Sequence, residues 1–212
     1  MSKKSKILVV LVSLMTIGLS FNQIRAAENV NIHLEGINVA TNYSVDDVYV
    51  VYNDKEYESE AVVVDKYTNE VLETFSMEKD LPKGIQTRGG SYSHKTFTNT
   101  KTISSGIKWT TEIILDVYTE GSFGQINGVA GKIIYISSTI SNMSNQDDLV
   151  AVSSNTGKYP TNIVNVSSAT TLTCKTNSQI GAELIGLGFS YSQDNYYRLR
   201  SSNSFQLTYG YR

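Results

Sequence analysis

Between Ile107 and Val117 the chain alternates: Ile107, Trp109, Ile113, Leu115 and Val117 share one parity, while Lys108, Thr110, Glu112 and Asp116 take the other. Successive side chains on a strand leave opposite faces, so this spacing demands a strand with one face in a core and one in water. The same pattern recurs in Ile134, Ile136 and Ile140, in Val164, Val166, Leu172 and Cys174, and in Phe205, Leu207, Tyr209 and Tyr211. Ser, Thr and Asn fill the intervening positions. Turn formers at 142–148, 155–157 and 193–195 punctuate the strands at the spacing of a sandwich. An all-β fold follows, an antiparallel β-sandwich or flattened barrel over about residues 91–212. The exception is Ile180 to Phe189, whose Gly181, Gly186 and Gly188 leave a short helix and a buried crossover equally open.

Charge divides the chain. Residues 28–80 carry 13 acidic groups against Lys55, Lys66 and Lys79, whereas residues 81–212 carry 7 acidic and 11 basic groups. Thirteen of the 15 glycines lie beyond position 81, with 35 Ser and Thr, so composition shifts at the same place. The acidic part carries β-branched and aromatic runs at 48–52, 61–65 and 71–75 separated by Asn/Asp turns, which are hairpin signals. It is expected to form a small β-meander, with Val30, Ile32 and Leu34 facing inward from an opening strand. About fifty residues make a thin core, so this meander should lean on the rest of the protein. Residues 81–90 form a linker rich in turn formers. Lys83 and Arg88 within it are candidate processing sites, which would make residues 28–80 a removable pro-region; a permanent two-part protein is the competing reading.

Residues 1–27 form a segment to be set aside. Lys3, Lys4 and Lys6 precede an apolar run from Ile7 to Phe21, shorter than the roughly 20 residues a membrane span needs. The run closes on Arg25-Ala26-Ala27, so a signal peptide cleaved after Ala26 or Ala27 is expected, with an uncleaved anchor as the alternative. The exported chain would then carry 14 basic and 20 acidic groups, net −6, with no further membrane-spanning segment. Cys174 would be a lone thiol, read as a small buried hydrophobe. The 14 residues from Val62 to Phe75 resemble hairpins common in exported proteins of Gram-positive bacteria, which supports a secreted or cell-surface location.

Several chemistries are excluded or left without support. His33 and His94 are the only histidines, too few for a His-rich metal site or an HExxH motif. The carboxylates Glu112, Asp116 and Glu120 share a face, but residues four apart on a strand stand roughly 13 Å from each other, too far for a glycosidase pair. Phosphate-cradling glycine motifs and a GxSxG nucleophile turn are missing from the sequence. A Ser-His-Asp arrangement around His94 survives only as an option, because its members would meet in space. The oxygen-rich stretch Asn142 to Asp148 lacks EF-hand spacing and reads as a turn. Neither a catalytic set nor a cofactor is therefore assigned.

Aromatic residues interleaved with arginine at the C-terminus suggest a binding surface. Tyr196, Tyr197, Arg198, Arg200, Tyr209, Tyr211 and Arg212, with Trp109 as the single tryptophan, suit stacking on sugars or contact with anionic polymers. A cell-wall polymer or carbohydrate is the expected partner, and nucleic acid is disfavoured by an acidic, exported chain. The sequence thus points to a secreted, non-enzymatic binding or envelope-associated module. A pore-forming or antimicrobial toxin with an acidic pro-region is the first alternative and an extracellular hydrolase the second.

Overall fold

The computed structural model describes residues 28–79 and 90–210. The expected signal peptide with Ala26 and Ala27, most of the linker with Lys83 and Arg88, and the terminal Tyr211 and Arg212 lie outside these residues. Two antiparallel sheets face each other. The first contains β1 (Asn29–Leu34), β2 (Ile37–Ser44), β9 (Met143–Ser154), β10 (Ile163–Lys175) and β12 (Tyr196–Tyr209), in the order β1-β2-β12-β10-β9. The two-residue β11 (Ser190–Tyr191) pairs with β12. The second sheet is a continuous meander of β3 (Val48–Asp54), β4 (Glu58–Asp65), β5 (Val71–Glu78), β6 (Ser91–Ser104), β7 (Ile107–Glu120) and β8 (Phe123–Ser138).

The alternation in the sequence maps onto this core. Ile107, Trp109, Ile113, Leu115 and Val117 are all buried, as are Val30, Ile32 and Leu34 of β1. A main cluster joins β1 and β2 to the facing strands of both sheets. At its centre the Phe205 ring meets Phe75 edge-on at 5.7 Å and Phe97 at 5.5 Å, so one β12 side chain touches two strands of the opposite sheet. Each such side chain stabilises the fold by roughly 1.5–3 kcal/mol relative to exposure. A second cluster around Trp109, Leu172 and Cys174 fills one end.

The segment around Ile180 resolves into a helix, α1 (Ser178–Gly186), begun by Asn177, whose side-chain oxygen accepts the Ile180 amide at 3.1 Å. Leu184 and Phe189 enter the second cluster. Gly181 is buried against Tyr197: a Cβ at this position would overlap the phenol ring.

The acidic stretch folds as the β1–β2 hairpin and the β3–β4–β5 meander, and each is hydrogen-bonded to a different sheet. β2 pairs with β12 from Ile37↔Tyr209 to Ala40↔Gln206, and β5 pairs with β6 from Glu73↔Lys101 to Met77↔Phe97. Its apolar residues share one cluster with Val164, Phe205 and Leu207. The residues from Met143 to Asp148, expected in a turn, instead open the edge strand β9, because β10 supplies partners for them from Cys174↔Met143 to Thr171↔Gln146.

Candidate functional site

On β12, residues 196, 198 and 200 leave the sheet on its outer face while Tyr197 and Ser201 turn inward. Register brings β10 alongside: Tyr196 is opposite Lys175, Arg198 opposite Thr173, and Arg200 opposite Thr171. The next strand extends the rows, with Ser144 opposite Thr173 and Gln146 opposite Thr171. Lys175 Nζ lies 5.1 Å from the centroid of the Tyr196 ring, within cation–π range. Arg200 Nη1 donates to the Asp147 carbonyl at 2.8 Å and to Thr171 Oγ1 at 3.1 Å, which fixes the guanidinium along the strands. Asn142, Ser144, Gln146, Thr173, Lys175 and Tyr196 line a shallow cleft of about 440 Å³. The result is a polar surface with three cations, the exposed Asn142, Ser144 and Gln146, and one exposed aromatic edge, while Thr173 beneath it is buried and bonded to Ser144.

The remaining aromatic candidates do not join this surface. Trp109, Tyr197 and Tyr209 are buried, at 0, 5 and 2 % exposure, so their rings pack in the core and offer nothing to an external ligand. Trp109 Nε1 donates to Ser201 Oγ at 3.1 Å and ties the two sheets together. Parity already gave the reason: Trp109 shares the inward face of Ile107 and Ile113, and Tyr209 that of Phe205 and Leu207.

A second polar assembly lies between the sheets. Glu73 is 1 % exposed, yet its Oε1 accepts from Asn99 Nδ2 at 2.6 Å and from Asn203 Nδ2, which also donates to Asn99 Oδ1 at 2.9 Å. The Tyr43 hydroxyl donates to the same carboxylate, and Lys101 attracts it while donating to the Ser202 carbonyl at 2.7 Å. Burial pushes the Glu73 carboxyl above its ordinary range, and these donors and Lys101 hold it partly back. Burial and the neighbouring carboxylate likewise push the Tyr43 phenol far up. A cleft of about 550 Å³ opens beside the group, lined in part by Ser168, Asn203 and Phe205. With its oxygen already taken by two amides, Glu73 serves as a clamp between β5, β6, β2 and β12, which sequence reasoning did not single out.

Two of the β7 carboxylates, Asp116 and Glu120, have separate partners. Asp116 Oδ1 pairs with His94 Nδ1 at 2.6 Å, and Glu120 accepts from the Tyr118 hydroxyl at 2.8 Å. Ser93 points to the other face of β6 from His94, so this neighbour does not complete a Ser-His-Asp set. Cys174 is buried, donates weakly to the Ser141 carbonyl at 3.7 Å, and has its thiol pushed up by burial. Among the described residues no cluster of three or more His, Cys, Asp and Glu side chains could hold a metal ion, and no helix is long and apolar enough to cross a membrane.

No protein-family model, characterised protein or solved structure matches this chain, so what it can do is argued from the geometry of these surfaces.

Proposed function

We propose that the protein is an exported, non-enzymatic binding module whose outer face on the first sheet holds an anionic extracellular glycopolymer. The observation that supports this reading is the placement of Lys175 over the exposed edge of Tyr196 with Arg198 and Arg200 following on the same face of β12, flanked by the exposed Ser144 and Gln146. Cations attract the polymer's charge, Ser144 and Gln146 exchange hydrogen bonds with its sugars, and the tyrosine edge offers apolar contact. Exposed charge attraction is screened over about 10 Å at 0.1 M salt, so binding on this face weakens as salt rises.

The test is co-sedimentation of the mature chain with purified cell walls. The double variant Lys175→Glu, Arg198→Glu leaves the Arg200 bonds intact and reverses two charges, and it is expected to lower wall affinity by at least about tenfold, or 1.4 kcal/mol. Unchanged pelleting of that variant overturns the proposal.

A second reading draws on strand length. β6, β7 and β8 are 14, 14 and 16 residues long, more than the roughly 9–11 a membrane-spanning strand needs. Their outward face carries Thr96, Thr98, Thr100, Lys108, Glu112 and Asp116, a poor match to lipid. Leakage from dye-loaded liposomes without wall binding would select this pore-forming reading instead.

A further inference from the structure

The second sheet carries a surface of different chemistry at the end where β6 begins, β7 ends and β8 begins. Tyr92 is opposite Tyr118, and Glu120 is opposite Phe123. Their rings form a row, Tyr92 to Tyr118 at 4.9 Å and Tyr118 to Phe123 at 6.3 Å. The outer members are largely bare, with Tyr92 76 % and Phe123 53 % exposed. Tyr118 is held in place by its bond to Glu120 and by Gly90, where a Cβ would overlap the Tyr118 ring. Large aromatic surface left in water on a fixed base calls for an occupant.

Polar groups converge beside the row. His94, one step further along β6, is paired to Asp116 through Nδ1, and both side chains remain accessible. Across from Asp116 stands Gly128, where a Cβ would approach Asp116 Oδ2 to 3.3 Å, so a glycine leaves that oxygen uncrowded. The β-bulge between Ile126 and Gly128 inserts Asn127. Gln125 Nε2 donates to Asn127 Oδ1 at 2.8 Å, which orients the amide, and Asn127 Nδ2 is left buried without a partner. Tyr92, His94, Asp116 and Asn127 together line a cleft of about 380 Å³.

Charge and polarity select among occupants. A lipid or an apolar peptide side chain would cover Tyr92 but strip water from Asp116 and His94 without replacing their hydrogen bonds. A phosphate or sulfate would face Asp116 and Glu120. A neutral pyranose satisfies both needs, since its C–H face stacks on an aromatic ring and its ring hydroxyls donate and accept at the edge.

We infer that the Tyr92–Tyr118–Phe123 row with His94, Asp116 and Asn127 is a platform for a neutral hexopyranose of an extracellular glycan. Tyr92 takes the C–H face of the sugar, Asp116 accepts from its hydroxyls, and His94 completes the edge, with Asn127 part of the cleft wall. The platform lies on the opposite sheet from Lys175 and Arg198, so it adds a second contact to the proposed binding module without depending on the first.

The experiment titrates cellotetraose, chitotetraose and mannotetraose into the mature chain and follows binding by nuclear magnetic resonance and calorimetry. At least one of them is expected to bind with a dissociation constant of about 1 mM or tighter. Tyr92→Ala and Asp116→Asn are each expected to weaken it about tenfold or more, with near-ultraviolet circular dichroism confirming an intact fold. Lys175→Glu, Arg198→Glu is expected to leave this binding unchanged while it impairs wall sedimentation, which separates the failure of either site from that of the other. Binding of none of the three sugars overturns the inference, as does binding that Tyr92→Ala leaves intact. Phosphatidylcholine vesicles serve as the competing probe: vesicle capture lost in Tyr92→Ala, with no sugar bound, would make the row a membrane contact and overturn the inference too.

Discussion

Asn203 of β12 and Glu73 of β5 lie 130 positions apart in sequence and share a hydrogen bond in the space between the two sheets. The bond joins strands that never pair with each other, so the carboxylate acts as a rivet through both layers.

Removing that rivet should cost stability in a pH-dependent way. Glu73→Ala leaves the amides of Asn99 and Asn203 without their acceptor and should destabilise the fold by about 1–3 kcal/mol. The pH dependence has a definite sign. Because burial raises the folded-state value above the ordinary 4.5, the contribution of Glu73 is fully present below 4.5 and is lost as pH rises through the folded-state value. Glu73→Gln removes this titration while Glu60 and Asp65, whose values are lowered, titrate alike in both proteins. Urea unfolding across the acid-to-neutral range should therefore show the difference between Glu73→Gln and the parent moving in the variant's favour as pH rises.

Gly181→Ala sets two effects against each other. Alanine in a helix gains up to about 1 kcal/mol over glycine. The added methyl group meets the buried Tyr197 ring, and overpacking of a core costs about 1–3 kcal/mol. Net destabilisation is expected, measured as a lower urea midpoint; Gly186→Ala, with open space at its Cβ, should be neutral or stabilising.

Cleavage at Lys83 or Arg88 by trypsin should leave the two fragments together. Residues 28–79 supply five strands divided between both sheets, and their apolar side chains share a cluster with Phe205 and Leu207. Size-exclusion chromatography of the cut protein should give one peak of intact size, resolved into two fragments only in denaturant. Separate elution under native conditions would contradict the shared core.

Cys174 should be inert toward a thiol reagent in the native state and react fully in urea. The sulfur is buried among Trp109, Leu172 and Tyr197, and desolvation disfavours the thiolate that attacks. A colorimetric disulfide reagent measures this directly.

Much of the fold was legible because burial of one sheet face imprints period-two patterning. Val30, Ile32 and Leu34, and the odd positions of β7, face the core as their spacing required. The same patterning places Glu73 inward with Phe75 and Met77, a position at which a carboxylate must find donors. Their identity was hidden, since Asn99 and Asn203 reach it only through the pairing of β5 with β6 and the stacking of the sheets. Alternation gives a face but not a neighbour. Of the aromatic and arginine candidates on β12, Tyr196, Arg198 and Arg200 share an outer surface, while Tyr197 is on the opposite parity and packs inside. Register gave Lys175 its contact with Tyr196 and Asp116 its pairing with His94, and a bulge inserted Asn127 beside Asp116, none of which a single strand's composition encodes.

The position of β12 bears on how the chain is made. This strand, the last in sequence among those described, lies between β2 and β10, so the amino-terminal hairpin waits for it before gaining a neighbour in its own sheet. Contacts spanning most of the chain form slowly, because their loop entropy is lost before their energy is gained. On a ribosome the second sheet, a meander of consecutive strands, can pair as it emerges, but the first sheet stays open until residues 196–209 follow. Closure of the sandwich is then a final event, and a chain cut short by that one strand lacks the middle of a sheet.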